Sequence, residues 1–271
     1  MAARLRIFTP GTGTTVEPRS HALVVMAKAP VSGAVKSRLV PPLTQDEAAA
    51  LNRCFIRDLC TSIESAAAIV GAGSDARVAG MIAYTPAGME SAFDGLIPDS
   101  FELIAQRGDG LTARLVNVAG DLLAAGYESV AMMNSDSPTL PASILAGAMM
   151  NLARPGDRIA IVGADDGGYC LIGLKRPHWR IFQDIAWSTE VVFAQTLERA
   201  AELGLEVTRM PSWYDVDDAA SLRRLIGELS GDQMRAETRG FAAPATRACL
   251  AGLLANGLAA RLGIPRVELL E

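Results

Sequence analysis

Short apolar runs that alternate with helical segments are the feature that most restricts the fold of this chain. Residues 22–26 and 130–133 contain only apolar side chains, which is the pattern of strands buried on both faces of a sheet. Between them, the sequence Thr44-Gln45-Asp46-Glu47 has the spacing of a capping box at the start of a helix. This alternation predicts an α/β fold with a mainly parallel central sheet and helices on both faces.

The same alternation continues to about residue 229. Further strands are predicted at residues 78–84, 101–105, 158–163, 169–174 and 205–210. Further helices are predicted at residues 111–125, 189–203 and 218–229, together with one that starts near Pro141. In a parallel sheet, ligands bind where the carboxyl ends of the strands meet loops. The loops after Met26, Met133 and Met210 are therefore the expected site of function.

Three segments are distinguished by composition. Residues 1–20 contain Pro and Gly but no apolar periodicity, and we predict a flexible N-terminal tail. Residues 21–230 hold the alternating pattern and form the predicted α/β domain. Residues 231–271 begin with polar residues and continue into an Ala/Leu/Gly-rich stretch, which predicts a C-terminal helical extension. Whether these helices make a homodimer stays open.

The overall composition excludes several classes of protein. Half of the 271 residues are hydrophobic and a fifth are charged, as in a folded enzyme. The formal net charge of −5 argues against a nucleic-acid binder, which needs a basic face. No apolar run approaches the roughly 20 residues that span a bilayer, and the N-terminus lacks the apolar stretch of a signal peptide. We therefore predict a cytoplasmic protein without a membrane span.

A cationic loop follows the first predicted strand. It contains Lys28, Gly33, Lys36 and Arg38. Glycine lets a backbone approach phosphate groups, and Lys and Arg neutralise them. The loop lacks the GxxxxGK[ST] and GxGxxG patterns of the best-known phosphate-binding loops. The alternative interpretation is ordinary solvated surface charge, but the position after a buried strand favours binding of a polyphosphate.

Two acidic segments follow later strands. Asp136 lies in Asn134-Ser135-Asp136-Ser137-Pro138, directly after an apolar strand, where a carboxylate needs a cation, such as a metal ion. The alternative is an Asp that caps the next turn. In Trp213-Tyr214-Asp215-Val216-Asp217-Asp218, alternation places Asp215 and Asp217 on one side of an extended segment. Either is a candidate second metal ligand, although Asp217 or Asp218 could instead cap the following helix.

Three further loops have polar compositions that suit a bound substrate. The first is Asp165-Asp166-Gly167-Gly168, which is either an ordinary hairpin turn or a contact for a hydroxylated or cationic acceptor. The second contains Gln106 and Gly108, with Arg114 one turn into the next helix. The third is Trp187-Ser188-Thr189, for which a helix cap is the alternative interpretation.

Together these segments resemble a bacterial family of GT-A-fold nucleotide-diphospho-sugar transferases known as radical-SAM/selenodomain-associated transferase 1. The resemblance spans roughly residues 22–225. The matching residues, in the order of the family, are Lys28-Ala29-Pro30, Gly33, Lys36-Ser37-Arg38-Leu39, Gln106, Gly108-Asp109, Arg114, Ser135-Asp136-Ser137-Pro138, Asp166-Gly167-Gly168-Tyr169, Ile172-Gly173-Leu174, Trp187-Ser188-Thr189 and Asp215-Val216-Asp217. Residues 34–39 also look like the N-terminal signature of 2-phospholactate guanylyltransferase, a nucleotidyltransferase of the same fold.

The resemblance implies a GT-A, Rossmann-like transferase with Mg²⁺ or Mn²⁺ as cofactor. Asp136 would bind the metal, with Asp217 or Asp215 as its partner, and Lys28, Lys36 and Asp136 would be catalytic. The sequence departs from the family pattern at Asn134, where Gly is usual, and it lacks a full Asp-x-Asp. The predicted substrate-binding residues are Ala27, Pro30, Gly33, Arg38, Gln106, Gly108, Arg114, Ser135, Asp165, Asp166, Gly167, Gly168, Trp187, Ser188 and Thr189.

Three functions are compatible with these residues. The first is nucleotidyl transfer from a nucleoside triphosphate to a small phosphorylated acceptor, with release of pyrophosphate. Lys28, Lys36, Arg38 and one Mg²⁺ supply about five positive charges, closer to the roughly four negative charges of a triphosphate than to the roughly two of an NDP-sugar. The second is glycosyl transfer from an NDP-sugar, and the third is a non-catalytic nucleotide-binding module. The sequence favours the first slightly.

Overall fold

A computed structural model of the chain describes residues 5–12, 16–231 and 240–264. Its central sheet has eight strands in the order β1-β4-β3-β2-β5-β7-β6-β8. Strand β7 is antiparallel to both of its neighbours, and the other strands run parallel to one another. The predicted fold class, a mainly parallel sheet covered by helices, is confirmed.

Except for β1, the bounds of the strands agree with the apolar runs of the sequence to within a few residues. The strands are β1 Arg6–Ile7, β2 Ser20–Lys28, β3 Arg77–Thr85, β4 Glu102–Ala105, β5 Ser129–Asn134, β6 Arg158–Ala164, β7 Tyr169–Leu174 and β8 Glu206–Trp213. The helices are α1 Gln45–Gly73, α2 Gly110–Ala124, α3 Ala142–Ala153, α4 Val192–Glu202, α5 Ala219–Leu229, α6 Pro244–Leu253 and α7 Ala259–Leu262, with a π-helical turn, Leu254–Leu258, joining the last two.

The sheet has a separate apolar core on each face. One core contains residues of α1 and α3, and the other contains residues of α2 and α4. Strand β2 lies in the middle of the sheet between β3 and β5, and residues 22–25 are completely buried. A run that packs against helices on both sides must be apolar at every position, which explains why β2 and β5 show no polar alternation.

Helix α1 begins at the capping box that the sequence predicts. The hydroxyl of Thr44 accepts a hydrogen bond from Glu47 N, and the Glu47 carboxylate accepts one from Thr44 N. The first turns of α1 pack in a third apolar cluster with α5 and α6. This cluster includes Leu39, so the helices after residue 240 help to fix the loop that leads into α1.

The structure corrects two of the predicted bounds. Residues 1–20 were expected to form a flexible tail, but Arg6–Ile7 pair with β4 and Phe8 is buried. The helix predicted from residue 189 begins at Val192, and Ser188 in the turn before it has the left-handed φ of 64°. The division of the chain at residues 230–231 into a domain and an extension stays a prediction.

The helices can be compared with the prediction that the chain has no membrane span. Within residues 5–12, 16–231 and 240–264, no helix combines enough length with enough apolar character to cross a bilayer.

Candidate functional site

The carboxyl ends of β2, β5 and β8 lie at one edge of the sheet. The loops after β5 and β8 are joined there by a backbone hydrogen bond of 2.8 Å from Val216 N to Asp136 O. Asp136 N also donates to the side chain of Asn134 at 3.2 Å, which fixes the turn after β5. These bonds bring Asp136 and Asp217 together although they are far apart in sequence.

Lys36 lies between these two carboxylates. Its Nζ is 2.6 Å from Asp136 Oδ1 and 3.3 Å from Asp217 Oδ1, and it donates to Val216 O at 2.7 Å. Its side chain is 4% exposed, and its ammonium lies 5.3 Å from the centre of the Phe55 ring. Lys36 Nζ therefore makes two hydrogen bonds and a close ion pair with Asp136 in this structure.

A cleft of about 280 Å³ opens beside Lys36, and we call it the Lys36 cavity. It is lined by Met26, Lys28, Val35, Lys36, Ser37, Arg38, Asn52, Ser135, Asp136 and Asp217. Six of these residues were predicted from the sequence as site residues: Lys28, Lys36, Arg38, Ser135, Asp136 and Asp217. The structure therefore brings the cationic loop and both acidic segments to one cavity.

The three cations of the Lys36 cavity differ in how they are neutralised. Lys36 is held by two carboxylates, as described above. Arg38 is largely exposed and lies 3.8 Å from Asp217 Oδ2. Lys28 is exposed at the end of β2, and its ammonium has no ion-pair partner within the described part of the chain. Lys28 and Arg38 are thus the cations available to an anionic ligand.

The donor set for a metal ion consists of few protein ligands. No group of three His, Cys, Asp or Glu side chains suited to a metal is found among residues 5–12, 16–231 and 240–264. Mg²⁺ is usually bound by one or two carboxylates together with substrate phosphates and water, rather than by a complete protein cage. Asp136 and Asp217 fit such a site in their chemistry, provided that Lys36 gives up its contacts with them.

Asp215 lies beside these carboxylates but does not line the Lys36 cavity. Burial and the nearby charges of Asp166 and Asp217 raise the pKa of Asp215 to about 6. Like charges disfavour ionisation of a buried carboxyl. The side of the site formed by Asp166 and Asp215 is therefore acidic, in contrast to the cationic loop. Asp218 caps α5 through Ala220 N and Ser221 N, as the sequence allowed.

The loop of residues 165–168 joins β6 to β7 in an antiparallel hairpin. Asp165 pairs with Arg224 at 2.6 Å, and Asp166 accepts a hydrogen bond from Gly168 N. Gly167 has a φ of 88°, and a Cβ there would lie 2.1 Å from Glu190 O. The glycine is therefore required for packing against the segment before α4, as the hairpin interpretation implies. None of these four residues lines the Lys36 cavity.

The remaining predicted residues of the cationic side make mostly structural contacts. Gln106 donates to the carbonyl oxygens of Ala27 and Ala83 at 3.3 and 2.7 Å, which ties the ends of β2, β3 and β4. Arg114 bonds weakly to Gly108 O at 3.4 Å. Pro30 in the cationic loop is buried, and Gly33 in the same loop is exposed. None of these residues lines the Lys36 cavity.

The segment Trp187-Ser188-Thr189 is a turn before α4. Trp187 Nε1 donates to Thr112 Oγ1 at 2.8 Å, and its ring packs edge-on against Tyr169. Thr189 Oγ1 donates to Ala186 O at 2.6 Å. Because α4 starts at Val192 without a side-chain cap, the interpretation of this segment as a helix cap is wrong. It does not line the Lys36 cavity.

Asn52 is a cavity residue that sequence reasoning missed. It lies on α1 and is 3% exposed, yet its Oδ1 has no hydrogen-bond partner among the described residues. A buried acceptor without a donor is uncommon in native proteins. The only signal in the sequence is a polar residue next to the apolar stripe of α1, between Leu51 and Phe55, which is too common to identify a site.

Comparisons with known proteins agree with the fold. A family model described as "Uncharacterized protein conserved in bacteria (DUF2064)" matches residues 67–189, and no curated protein matches the sequence. A solved structure from Desulfovibrio desulfuricans G20, provisionally assigned as a nucleotide-diphospho-sugar transferase, is 28% identical. It superposes with a TM-score of 0.69 and covers 85% of this chain and 95% of that chain.

Two more distant structures share the architecture. CMP:2-keto-3-deoxy-manno-octonic acid synthetase in complex with CTP is 13% identical, with a TM-score of 0.47 over 79% of this chain and 100% of that chain. Glucosyl-3-phosphoglycerate synthase from Mycobacterium tuberculosis, in complex with Mn²⁺, UDP and glucosyl-3-phosphoglycerate, is 11% identical. Its TM-score is 0.45 over 92% of this chain and 81% of that chain. Both have TM-scores below 0.5, and we base no conclusion on them. The superposition with the D. desulfuricans structure shows that this chain shares its α/β fold.

Proposed function

We propose that the protein is a transferase that uses a nucleotide donor and binds its phosphates in the Lys36 cavity. The observation that carries this proposal is the meeting of Lys28, Arg38, Asp136 and Asp217 around one cleft at the carboxyl ends of β2, β5 and β8. Cations and a pair of carboxylates in one cleft suit a metal-bound phosphate better than either a bare anion or a bare metal. The assignment of the D. desulfuricans structure points to the same class of enzyme.

The two sides of the cleft have different tasks in this proposal. Lys28 and Arg38 bind the non-bridging oxygens of the donor phosphates and neutralise the leaving group. Asp136, with Asp217 as its partner, would hold Mg²⁺ or Mn²⁺. When bound, such a cation stabilises negative charge that develops on the leaving phosphate. Ser135 lines the cavity, and its hydroxyl donates a hydrogen bond to Asp136 Oδ1 at 3.1 Å, which orients that carboxylate.

The charge balance of the cleft does not distinguish an NDP-sugar from a triphosphate. The sequence-based argument for a triphosphate counted only the cations, whereas Lys36 is already paired with Asp136 and Asp217. Three cations and two carboxylates leave a net charge of about +1, or about +3 with one divalent metal. A charge of about +3 differs by about one from both the roughly two negative charges of an NDP-sugar and the roughly four of a triphosphate, so this count favours neither donor. The assignment of the D. desulfuricans structure as a nucleotide-diphospho-sugar transferase makes glycosyl transfer our first candidate reaction.

The acidic side of the site indicates the class of acceptor. Asp166 and Asp215 are close enough to raise the pKa of Asp215. Carboxylates accept hydrogen bonds from hydroxyl or amine groups and repel phosphates. We therefore infer a small acceptor that presents hydroxyl or amine groups to these residues, rather than the phosphorylated acceptor favoured by the sequence.

Nucleotidyl transfer is the second candidate, because residues 34–39 look like the N-terminal signature of a guanylyltransferase. The two reactions release different products. We would incubate the protein with panels of nucleoside triphosphates and NDP-sugars and Mg²⁺, and measure pyrophosphate and nucleoside diphosphate. Release of nucleoside diphosphate from an NDP-sugar supports the first candidate, and pyrophosphate from a triphosphate supports the second. If no nucleotide raises the melting temperature, the proposed donor class is wrong.

A further inference from the structure

The contacts of Lys36 Nζ occupy the two carboxylates that a metal would need. It donates hydrogen bonds to Val216 O and Asp217 Oδ1 at 2.7 and 3.3 Å, and it forms an ion pair with Asp136 Oδ1 at 2.6 Å. The side chain is almost completely buried, so water does not weaken these contacts as it would at the surface. A divalent cation and the Lys36 ammonium therefore compete for the same oxygens.

The cavity also contains a vacant acceptor for an ammonium. Asn52 Oδ1 is buried without a donor, and Asn52 lines the same cleft as Lys36. Asn52 and Phe55 are three residues apart on α1, so their side chains are neighbours on one face of the helix. The Lys36 ammonium already lies 5.3 Å from the centre of the Phe55 ring, which places it on the same face.

The chemistry of Asn52 Oδ1 selects lysine as its partner. A carbonyl oxygen accepts hydrogen bonds and cannot bind the oxygens of a phosphate, which are acceptors as well. Its partner must therefore be a donor, and Lys36 is the buried cation of this cleft. In this structure Lys36 Nζ contacts Val216 O and the two carboxylates, and Asn52 Oδ1 has no donor among the described residues.

We propose that Lys36 is an internal counter-ion that a divalent cation must displace, and that Asn52 receives the displaced ammonium. Without ligand, Lys36 neutralises Asp136 and Asp217, which keeps the affinity for free metal low. When a metal arrives with phosphates, the metal takes the carboxylates, and Lys36 donates to Asn52 Oδ1 and to a phosphate oxygen. No charge leaves the cleft in this exchange. The identity of the phosphate ligand rests on the proposed function, whereas the competition for the carboxylates does not.

Binding of Mn²⁺ alone tests the first half of the proposal. Free Mn²⁺ is measured by electron paramagnetic resonance in titrations of the wild type, Lys36→Met and Lys28→Met. Each variant loses one positive charge from the same cleft, but only Lys36 contacts the carboxylates. We expect Lys36→Met to bind Mn²⁺ more tightly by on the order of tenfold or more, and Lys28→Met by about twofold. Equal affinities of Lys36→Met and the wild type, with both proteins folded by circular dichroism, overturn the proposal.

A double-mutant cycle tests the role of Asn52. The probe is Mn²⁺ with inorganic pyrophosphate, which avoids any choice of nucleotide base. Asn52→Leu should weaken this binding by about fivefold in the wild type, because the displaced ammonium loses its acceptor. In the Lys36→Met background the same substitution should have no effect. If Asn52→Leu weakens binding equally in both backgrounds, Asn52 acts through general packing and its assigned role is wrong.

The two experiments separate this inference from the proposed function. Failure of all proteins to bind Mn²⁺ with pyrophosphate, or any nucleotide, contradicts the proposed phosphate site. The difference in affinity for Mn²⁺ alone between Lys36→Met and Lys28→Met would still decide whether Lys36 blocks the Asp136–Asp217 pair.

Discussion

The Lys36 cavity and the packing of residues 240–264 against the rest of the chain differ in how individual polar groups are paired. We call the latter the extension contact. In the cavity, Lys28 has no ion-pair partner among the described residues and Asn52 Oδ1 has no donor. In the extension contact, Asp58 accepts hydrogen bonds from Ala245 N and Thr246 N at 3.0 and 2.7 Å. Arg261 makes two bonds of 2.7 Å to the Glu47 carboxylate.

The difference separates structural from functional polar residues. The N-cap residue of α6, Ala243, has no capping side chain, and Asp58 on α1 accepts hydrogen bonds from the first-turn amides in its place. A buried polar group whose hydrogen bonds are all made within the protein has no free donor or acceptor for a ligand. A site for a charged ligand must keep groups unpaired, which lowers its own stability. We therefore expect substitutions in the cavity to change activity, and substitutions in the extension contact to change stability.

The largest expected effect is on the activity of Asp136→Asn. The substitution removes one carboxylate charge from the proposed metal and phosphate site, and we expect the transferase rate to fall by about 10²–10³-fold. The melting temperature should change little, because Asp217 and Val216 O still hold the Lys36 ammonium. Steady-state kinetics and thermal unfolding measure the two effects. Asp75→Asn is the matched control, because Asp75 pairs with Arg19 on the surface. Comparable activity in both variants would show that Asp136 is not in the site.

The next effect is the loss of stability in Asp58→Ala. It leaves the amides of Ala245 and Thr246 without their acceptor inside the protein, and we expect a loss of about 2–3 kcal/mol in the free energy of unfolding. Urea unfolding measures this change. The catalytic rate per folded molecule should stay within about twofold at 20 °C. A large fall in that rate without a loss of stability would contradict the separation of the two regions.

A smaller effect is expected for Glu228, which lies where residue 240 packs against α5. Burial raises the pKa of Glu228 above its usual value of 4.5. A carboxyl with a raised pKa in the folded state destabilises the protein where it is ionised, so its contribution to stability is lost as the pH rises through that pKa. Glu228→Gln should therefore be more stable than the wild type by about 1 kcal/mol at pH 8. The difference should vanish at pH 4.

The urea midpoints of both proteins across this pH range measure the effect. Tyr214 and Thr139 contact the Glu228 carboxylate, and the amide of Gln can retain both hydrogen bonds. A difference that is constant with pH would mean that geometry rather than ionisation accounts for the change.

The smallest effect is expected for Arg261→Ala, because the Arg261–Glu47 pair lies at the surface. Its side chains are 33% and 20% exposed, and water and salt screen such pairs. We expect a loss of less than about 1 kcal/mol, which shrinks further in 1 M NaCl. Urea unfolding at two salt concentrations provides the measurement. A loss as large as that of Asp58→Ala would mean that the exposed Arg261–Glu47 pair stabilises the extension contact as much as the buried Asp58 does.

Much of the fold and half of the candidate site were predictable from the sequence. The strands β2 and β5 are wholly apolar because they are buried on both faces, and the capping box of α1 depends only on residues 44–47. The parallel topology then predicts that loops after different strands meet at one edge, which brought Asp136 and Asp217 together. The short strand β1 could not be predicted, because its two residues are held by pairing with β4 rather than by their own pattern.

Contacts within the site were not predictable in the same way. Lys36 was predicted to bind phosphate, but in this structure it pairs with two carboxylates, a consequence of its left-handed backbone and of the hydrogen bond between Val216 and Asp136. Gln106 and Trp187 match family motifs in the sequence, yet their side chains tie neighbouring elements together. Pairing of this kind depends on which loops face each other, and sequence spacing carries no such information.

Local patterns of apolar residues, glycines and charges are therefore enough to derive the α/β architecture, the edge of the sheet at which function is expected and the chemical types of residue found there. Three properties needed the folded structure: which of those charges neutralise one another, that Lys36 lies between Asp136 and Asp217, and that Asn52 lines the cavity. Each of these depends on side chains that are far apart in sequence but lie within a few ångströms of each other in the fold. Electrostatic and hydrogen-bond energies change steeply over such distances.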